Sequence, residues 1–437
     1  MTPAELAERA AAEVLGDLDD AANRAVVVDS PPGAGKSTLV VRAAAALAAR
    51  EPVMVVAQTN EQVDDLACRL ATSIPGIRIG RLSAHGYRPT PRLTRHASVP
   101  VSSQLDDLAG CPVIIATAAK WARITGDARW TWAVVDEAYQ MRSDTLLRIA
   151  GRFERALLVG DPGQLDPFST VETTRWTGLT WDPMQNAVTV LLRHNSSVPV
   201  RQLPVSWRLT EPAAAVVADA FYPFGGFQAG TRPGERRLEL TARAFGASPL
   251  DQAVDTAAAT GWALYELPAR HTPRTDAQAT LACAMLAVRI LQRGAVSCSE
   301  QAPDGTPVTA ARIAIGTAHR DQVRAIRACL GANLDEVTVD TANRLQGREF
   351  DVVIVLHPLS GRRDATAFHL EAGRLCVLTS RHRHACIVVT RAGVPELLDA
   401  HPSTEPAYPN VPAKFPDGWE ANQSVMAHLS QYRVGAL

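Results

Sequence analysis

One stretch near the start of the chain holds the residue types that phosphate binding needs. It reads Ser30-Pro-Pro-Gly-Ala-Gly-Lys36-Ser37-Thr38, after an apolar run and before a helix-like stretch. Glycines let backbone N–H groups turn toward phosphate oxygens, the lysine adds a point charge, and a serine hydroxyl can bind Mg²⁺. We therefore predict a phosphate-binding loop, although the usual pattern has glycine at Ser30, so we expect a changed loop shape with binding retained. The residues assigned to the loop are Pro32, Gly33, Ala34, Gly35, Lys36, Ser37 and Thr38.

A pair of acids lies one hundred residues after Lys36. Asp136-Glu137-Ala-Tyr-Gln140 follows an apolar run, where Asp136 can hold Mg²⁺ together with Ser37 and Glu137 can polarise an attacking water. The alternative is that Asp136 only caps a helix, which is common at such a turn. A later stretch, Gly160-Asp161-Pro-Gly-Gln164, carries an amide placed to sense a γ-phosphate. Three such stretches in this order favour the hydrolysis of a nucleoside triphosphate.

Short β-branched runs alternate with helix-like spacing around these residues. Such runs are typical of parallel strands buried on both faces, and the alternation predicts a doubly wound α/β fold. The expected strands of the first half are Ala25–Asp29, Val53–Ala57, Val113–Thr117, Ala133–Asp136 and Ala156–Gly160. The same alternation resumes from Arg312 to Thr390. The chain is therefore predicted to hold two α/β domains.

The domain boundaries follow from composition. We expect a first domain at 1–200 with an irregular insertion at about 75–112, and a second at 201–395. About 225–279 is poor in strand signals and rich in Pro, Gly and Ala, so it is interpreted as an insertion or linker. Residues 396–437 are expected to form a Pro-rich tail that ends in a short amphipathic piece.

Composition excludes several classes of protein. The 437 residues carry 44 Lys+Arg against 45 Asp+Glu, a net charge of −1, which argues against a histone-like binder but allows a local basic groove. No apolar run approaches the roughly 20 residues that span a bilayer, and the start of the chain lacks a secretory pattern. The seven cysteines form no C-x-x-C pair and are typical of reduced thiols. We expect a cytoplasmic monomer without a membrane segment.

The order of the three motifs resembles that of superfamily 1 helicases, and the Asp-Glu-Ala-x-Gln form is most similar to the branch with RNA-surveillance and related DNA helicases. The resemblance implies two tandem RecA-like P-loop NTPase domains with parallel sheets and short insertions. It also implies nucleic-acid contacts through Thr59 and Asn60, through Thr117, and through Thr317 in Ile315-Gly-Thr317-Ala-His-Arg-Asp-Gln322.

Three further stretches, all in the predicted second domain, resemble motifs IV, V and VI of that family. In Ser206-Trp207-Arg208, the resemblance implies that Trp207 stacks on the base and Arg208 meets the γ-phosphate. Thr341-Ala-Asn-Arg-Leu-Gln-Gly-Arg-Glu349 resembles motif V, which implies that Gln346 couples the nucleotide to the strand. In the same stretch Gly347 and Glu349 would contact the nucleotide. Arg381 in Leu378-Thr-Ser-Arg-His-Arg383 would be an arginine finger.

The implied activity is ATP hydrolysis with Mg²⁺, coupled to movement on single-stranded DNA or RNA. Branch resemblance suggests the 5′→3′ direction, with duplex unwinding. A translocase without unwinding stays open because the insertions that often carry a strand-separating wedge are short. Preference for adenine is also open. Many members of the family contact adenine through a glutamine upstream of the phosphate loop, and here no glutamine precedes Gln58. From another class, a nucleotide-gated switch or interaction protein would use the same loop to present a surface to a partner.

Overall fold

The computed structural model describes residues 1–167, 174–176, 179, 182–183, 185–223, 225–244, 248–272, 275–402 and 417–436. The chain divides into two compact units. The first holds Met1–Pro162 and Asp166–Pro204, and the second holds Gly163–Leu165 and the described residues from Val205 onward. Each unit is an α/β structure built on a parallel sheet, which confirms the predicted pair of RecA-like domains.

The first unit is an eight-stranded parallel sheet in the order β4-β3-β5-β2-β6-β7-β1-β8. Its strands are β1 Ala25–Asp29, β2 Val53–Ala57, β3 Ile79–Leu82, β4 Val101–Ser102, β5 Val113–Thr117, β6 Trp130–Asp136, β7 Phe153–Gly160 and β8 Val200–Gln202. Its helices are α1 Pro3–Asp19, α2 Lys36–Ala48, α3 Asn60–Ser73, α4 Pro91–Thr94, α5 Ala118–Trp121, α6 Ser143–Ala150 and α7 Ala187–His194. The strand β7 lies between β1 and β6, so the phosphate loop, the Asp136–Glu137 pair and Asp161 all follow neighbouring strands.

Helices cover both faces of this sheet. Apolar side chains of α1, α2 and α3 pack on one face, and those of α5, α6 and α7 pack on the other. Strands such as β1 and β2 therefore have no water-facing side, which explains why their sequences run apolar without alternation.

The predicted insertion at 75–112 differs from the structure, because it supplies two strands of the sheet. Ile79–Leu82 pairs in parallel with β5 and is buried throughout, and Val101–Ser102 pairs with it in turn. Ile-Gly-Arg-Leu contains a glycine and an arginine, so propensity alone does not indicate a buried strand. The arginine is tolerated there because its charge is paired, as described below.

The second unit contains a six-stranded parallel sheet in the order β16-β15-β17-β18-β12-β19. The strands of the unit are β9 Val205–Ser206, β10 Gln228–Ala229, β11 Arg237–Leu240, β12 Trp262–Leu267, β13 Ala295–Ser299, β14 Ala302–Pro307, β15 Ile313–Thr317, β16 Thr338–Thr341, β17 Phe350–Leu356, β18 His382–Arg391 and β19 Arg433–Gly435. Its helices are α8 Glu211–Phe221, α9 Pro249–Thr260, α10 Ala277–Gln292, α11 Arg320–Leu330, α12 Ala342–Leu345, α13 Ala367–Leu370, α14 Ala372–Thr379, α15 Val394–Ala400 and α16 Gly418–Leu429. Strands β11, β13 and β14 form a small antiparallel sheet, and β9 pairs with β10.

Two predicted segments of this unit differ from the structure. The interpretation of 225–279 as an insertion or linker misses β12, which lies inside the sheet between β18 and β19. Trp-Ala-Leu-Tyr-Glu-Leu has no β-branched residue, so its strand signal is weak, and its burial depends on distant partners. The expected C-terminal tail also contributes α16, which packs in the core, and the edge strand β19. Residues 403–416 of that tail lie outside the described residues.

Among the helices that the structure describes, none is both long and apolar enough to cross a membrane.

Candidate functional site

The predicted phosphate loop joins β1 to α2. Gly33 and Gly35 have φ values of 75° and 84°, a left-handed backbone that favours glycine. Gly35 is the N-cap of α2, so the N–H groups of the first helical turn face the loop. Ser30, in contrast, does not have a positive φ, and its N–H donates to the Gly160 carbonyl oxygen at 2.8 Å. Ser30 therefore extends the β1–β7 pairing by one residue and leaves the turn itself to the two glycines.

The ammonium of Lys36 is paired with the carboxylate of Glu137. Both side chains are largely buried, with exposed fractions of 16% and 6%. Burial alone would lower the pKa of Lys36, but Glu137, Asp136 and Asp161 outweigh it and raise that pKa above its ordinary value. Lys36 is therefore a firmly charged group, and a phosphate would compete with Glu137 for it.

Asp136 ends β6 and is buried, and its Oδ1 accepts from the Glu137 N–H at 2.9 Å. Burial raises the pKa of its carboxyl to about 6, although the charge of Lys36 opposes the rise. Glu137 has φ 52°, the one positive value for a non-glycine among the described residues. Such a backbone costs on the order of 1–3 kcal/mol and is concentrated at functional sites. The strain turns the chain into a short 3₁₀ segment, Ala138–Gln140.

Tyr139, for which the sequence indicated no role, lies at the carboxyl ends of the same strands. The Tyr139 hydroxyl donates to Asp29 Oδ1 at 2.6 Å. Burial raises the pKa of Asp29 to about 6, and the Tyr139 hydrogen bond opposes the rise. A Cβ on Gly160 would lie 2.8 Å from Tyr139 Cδ2, so the ring packs on that glycine. Tyr139 thereby connects the ends of β1, β6 and β7. Its position three residues after Asp136 was the feature of the sequence that could have indicated this contact.

The residues present fit Mg²⁺ bound together with a triphosphate. Mg²⁺ prefers oxygen ligands and is usually held by one or two carboxylates plus substrate phosphates. Asp136 supplies a buried carboxylate, and Ser37 stands at the start of α2. In the part of the chain that the structure describes, no group of three or more His, Cys, Asp or Glu could hold a metal by itself. A cation here would therefore depend on the phosphates.

The residues of the first unit that are predicted to contact nucleic acid lie at the carboxyl ends of two neighbouring strands. Thr59 and Asn60 follow β2, Thr117 ends β5, and these two strands are neighbours with Ala57 opposite Thr117. Both threonines are N-caps, because their hydroxyls accept from the N–H groups of Gln62 and Lys120 at 3.2 and 3.1 Å. The structure thus brings the predicted contacts together on two helix starts.

In the second unit, residues from three predicted motifs meet at one carboxylate. Arg208 Nε donates to Glu349 Oε2 at 3.2 Å, and Arg383 Nη1 donates to Glu349 Oε1 at 3.3 Å. Arg208 Nη1 also reaches the Ser380 carbonyl oxygen at 3.3 Å. Burial alone would raise the pKa of Glu349, but Arg208 and Arg383 outweigh it and hold that pKa below its ordinary value. The sequence motifs had not indicated these contacts for Arg383 or Ser380.

Two of the predicted contacts are not presented to solvent. The Arg381 side chain is buried, with 1% of the residue exposed, and its Nη2 donates to Ser380 Oγ at 2.9 Å. Thr317 is fully buried, and its hydroxyl donates to the His319 carbonyl oxygen at 3.1 Å. The roles predicted for both residues would require these side chains to turn.

Other predicted residues are more open. Trp207 is 38% exposed, and its ring lies on Gly230, where a Cβ would meet Trp207 Cε3 at 2.4 Å. Gly347 has φ 78° and would have no neighbour within 4 Å of a Cβ. Gln346 Nε2 is a buried donor without an acceptor among the described residues. Trp207 thus keeps an exposed face suited to stacking on a base.

Gln164 lies on a short peptide that belongs to the second unit although its chain neighbours belong to the first. A Cβ on Gly163 would lie 2.5 Å from Tyr222 Cζ, so the peptide packs on that ring. On the other side, a Cβ on Gly373 would lie 2.5 Å from the Gln164 oxygen. The backbone around Gln164 therefore packs closely between Tyr222 and α14, because glycines at 163 and 373 leave no side chains in the way.

Comparisons with known proteins agree with this architecture. Two family profiles described as AAA domain match the chain, one over residues 9–180 and one over residues 187–393. No curated protein matches the chain.

Solved structures that are similar include a PRRSV helicase, with 16% identity and a TM-score of 0.45. The matched region covers 88% of this chain and 54% of the helicase chain. Arterivirus nonstructural protein 10 (helicase) has 14% identity and a TM-score of 0.45, covering 88% and 61%. Its complex with DNA has 14% identity and a TM-score of 0.42, covering 88% and 62%. The chain thus spans little more than half the length of these viral chains.

The profile over residues 9–180 lies almost entirely in the first unit, and the profile over residues 187–393 lies mostly in the second. The chain therefore contains two AAA domains, and the order of its motifs resembles that of the superfamily 1 helicases.

Proposed function

We propose that the chain is a nucleic-acid-dependent ATPase that couples hydrolysis to movement along a single strand of DNA or RNA. The observation that carries this proposal is the buried ion pair between Lys36 and Glu137 beneath a loop with two left-handed glycines. A phosphate-binding cation and a water-activating acid are in direct contact there, so the arrival of a phosphate changes the partners of both.

The chemistry requires the two side chains to separate. When the γ-phosphate takes the Lys36 ammonium, Glu137 loses its partner and its carboxylate can accept a hydrogen bond from the attacking water. The left-handed backbone at Glu137 sets the direction of its Cα–Cβ bond. Bound Mg²⁺, held by Ser37 and Asp136, would supply neutralisation of phosphate charge.

Residues of the second unit are proposed to complete the reaction. Arg208 and Arg381 are assigned to the γ-phosphate, where an arginine contributes about 10³–10⁵ in rate in related chemistry. Gln164 is assigned to sensing that phosphate. Trp207 is assigned to the base, and Gly347 and Glu349 to other parts of the nucleotide.

The strand is proposed to contact Thr59, Asn60 and Thr117 of the first unit, with Thr317 and Gln346 of the second. Contacts of this kind go mainly to phosphates and sugars and carry little sequence information. We therefore expect binding that depends weakly on sequence and strongly on salt.

The first experiment measures ATP turnover with and without oligothymidylate or oligouridylate. We expect stimulation by at least one of them, and Lys36→Ala serves as the inactive control. Turnover without stimulation by either strand would contradict the motor and leave the nucleotide-gated switch.

Direction and unwinding are tested separately. Strand displacement on duplexes with a 5′ or a 3′ tail, in DNA and in RNA, should favour the 5′ tail if the branch resemblance holds. Stimulated hydrolysis without displacement on any of these substrates would indicate a translocase that does not unwind.

A further inference from the structure

A fully buried arginine stands behind the first predicted nucleic-acid contact. Arg81 lies in β3 with 0% of the residue exposed, and all three of its nitrogens donate. Nε reaches Asp64 Oδ1 at 3.1 Å, Nη1 reaches the Leu82 oxygen at 2.7 Å, and Nη2 reaches Asn60 Oδ1 at 2.8 Å. Asn60 itself is exposed at the start of α3. The buried guanidinium of Arg81 is therefore hydrogen-bonded to the side-chain amide of an exposed residue.

The guanidinium is held from its other sides as well. It lies 4.3 Å from the centre of the Tyr87 ring, and the Tyr87 hydroxyl donates to Asp64 Oδ2 at 2.5 Å. Burial, and then the hydrogen bond to Asp64, raise the pKa of Tyr87 to about 12, so the phenol stays a donor. Since Asp64 accepts from both neighbours, neither the carboxylate nor the guanidinium can rotate without losing bonds. Arg81 is thus a rigid donor aimed at Asn60.

This donor decides which way the Asn60 amide faces. A carboxamide has an oxygen that accepts and a nitrogen that donates, and the two atoms point in opposite directions. With its oxygen bound to Arg81, Asn60 turns its NH₂ group away from the guanidinium, so the two N–H donors face its other neighbours. The flipped amide would set its NH₂ against the guanidinium, donor against donor, and is disfavoured.

Stability alone is a poor explanation for the cluster. Replacing a buried ion pair by apolar side chains of similar volume is often neutral or stabilising. Phosphates of a strand offer only acceptors, so an amide that turns its NH₂ group away from Arg81 suits them. We propose that Arg81 is a positioning residue that orients Asn60 as a hydrogen-bond donor to a phosphate of the bound single strand, with Asp64 and Tyr87 holding Arg81 in place. This inference rests on the proposed nucleic-acid binding.

The test compares oligothymidylate binding by fluorescence anisotropy across a salt series. Removing Arg81 alone would leave the Asp64 carboxylate buried and unpaired, which is strongly destabilising. The informative variant is therefore an apolar triad, Asp64→Leu with Arg81→Met and Tyr87→Phe, compared with Asn60→Ala and with both sets combined. Arg81→Lys is the conservative variant, since it keeps the charge but cannot donate to three acceptors at once.

We expect the apolar triad and Asn60→Ala each to weaken binding about tenfold, the order of one hydrogen bond to a charged group. The combined variant should lose no more than either, because both act through the same bond. Arg81→Lys should show a similar loss. The slope of log affinity against log salt should stay unchanged, because no charge that touches a phosphate is removed. ATP affinity should stay near that of the wild type in every variant, and so should the unfolding temperature of the apolar triad and of Asn60→Ala.

Three results would overturn the proposal. The apolar triad and Arg81→Lys could bind like the wild type, the losses could multiply in the combined variant, or the salt slope could fall by about one, which would mean that Arg81 meets a phosphate itself. If the apolar triad does not fold, Arg81→Lys, alone and with Asn60→Ala, decides by the same criteria. A wild type that binds no oligonucleotide would overturn the proposed function together with this inference, whereas binding without coupling overturns only the inference.

Discussion

Lys36 and Glu137 lie 101 positions apart in the chain, and their side chains form an ion pair. The loop lysine is held by the acid that is proposed to activate water, so one anion occupies the place that a phosphate would need. Under the proposed function, binding of a triphosphate and release of the Glu137 carboxylate would be the same event. An idle site of this kind would keep Glu137 from polarising water until a phosphate is present.

Glu137→Gln should abolish hydrolysis and keep nucleotide binding. Glutamine cannot serve as a base, and general bases contribute about 10²–10⁴ in rate. ATP affinity should equal or exceed that of the wild type, because the amide competes less for Lys36. Single-turnover kinetics and ATP titration measure the two quantities. Unchanged turnover would refute the assigned role.

Lys36→Arg should lose ATP binding although the charge is kept. The chain has only three lysines, Lys36, Lys120 and Lys414, and otherwise uses arginine, yet the loop retains a compact ammonium. A planar guanidinium is wider and donates in a fixed fork. We expect at least a tenfold loss in affinity by calorimetric titration. Lys120→Arg is the matched control, since the Lys120 ammonium donates to the Ser103 carbonyl oxygen at 2.9 Å, and equal effects of the two would argue against the loop assignment.

Arg381→Ala should lower turnover by about 10³ or more and leave nucleotide affinity within a few-fold. The side chain is buried and bonded to Ser380, so the variant also needs a thermal unfolding measurement. Arg362→Ala, which removes a surface pair with Asp364, is the control. Comparable losses in affinity and turnover would contradict an arginine finger.

The second unit should lose stability in mild acid. Burial lowers the pKa of His357 and His369 to about 4 and that of His382 to about 3. The unfolded chain protonates these imidazoles near pH 6.5 while the folded unit keeps them neutral. Each therefore contributes stability that is present above pH 6.5 and falls by about 1.4 kcal/mol per pH unit toward its folded pKa.

Calorimetric unfolding between pH 7.5 and 5 measures this slope. His382 packs edge-on against Trp262 with ring centres 4.9 Å apart, so His382→Phe keeps an aromatic contact and should flatten the pH dependence. His85→Phe on an exposed turn of the first unit should leave the slope unchanged. A His382→Phe variant with the wild-type slope would show that this imidazole does not contribute.

Gly373→Ala should destabilise the second unit despite the better helix propensity of alanine. Its Cβ would lie 2.5 Å from the Gln164 oxygen, and a backbone atom cannot retract as a flexible side chain can. Overpacking of this kind typically costs about 1–3 kcal/mol, more than the roughly 1 kcal/mol that alanine gains in a helix. Gly151→Ala has no neighbour within 4 Å and should be neutral or slightly stabilising in chemical denaturation. Equal effects of the two variants would contradict the close packing at Gln164.

The sequence predicted best those parts that consist of consecutive residues. The glycine loop, the Asp136–Glu137 pair and strands such as Ala25–Asp29 carry their signals locally, because doubly buried strands are apolar throughout. The structure reproduces that strand with the predicted bounds.

The features that the sequence did not predict depend on partners far along the chain. Arg81 looks like one surface arginine among many, and only the fold brings Asp64 and Asn60 to it. Likewise, Trp262–Leu267 becomes an interior strand because β18 and β19 flank it. Pairing between distant segments sets burial in both cases, and no local pattern records it.

The three residues Gly163–Leu165 have a consequence for dividing the protein into parts. They belong to the second unit, where Leu165 joins its core and Tyr222 and Gly373 contact the peptide, yet they lie within the stretch of chain that builds the first. A recombinant fragment that starts at Val205 would lack the peptide that packs between Tyr222 and Gly373, and one that ends at Pro204 would carry this peptide without those contacts. No single cut of the chain therefore gives two fragments that each hold all the residues of one unit.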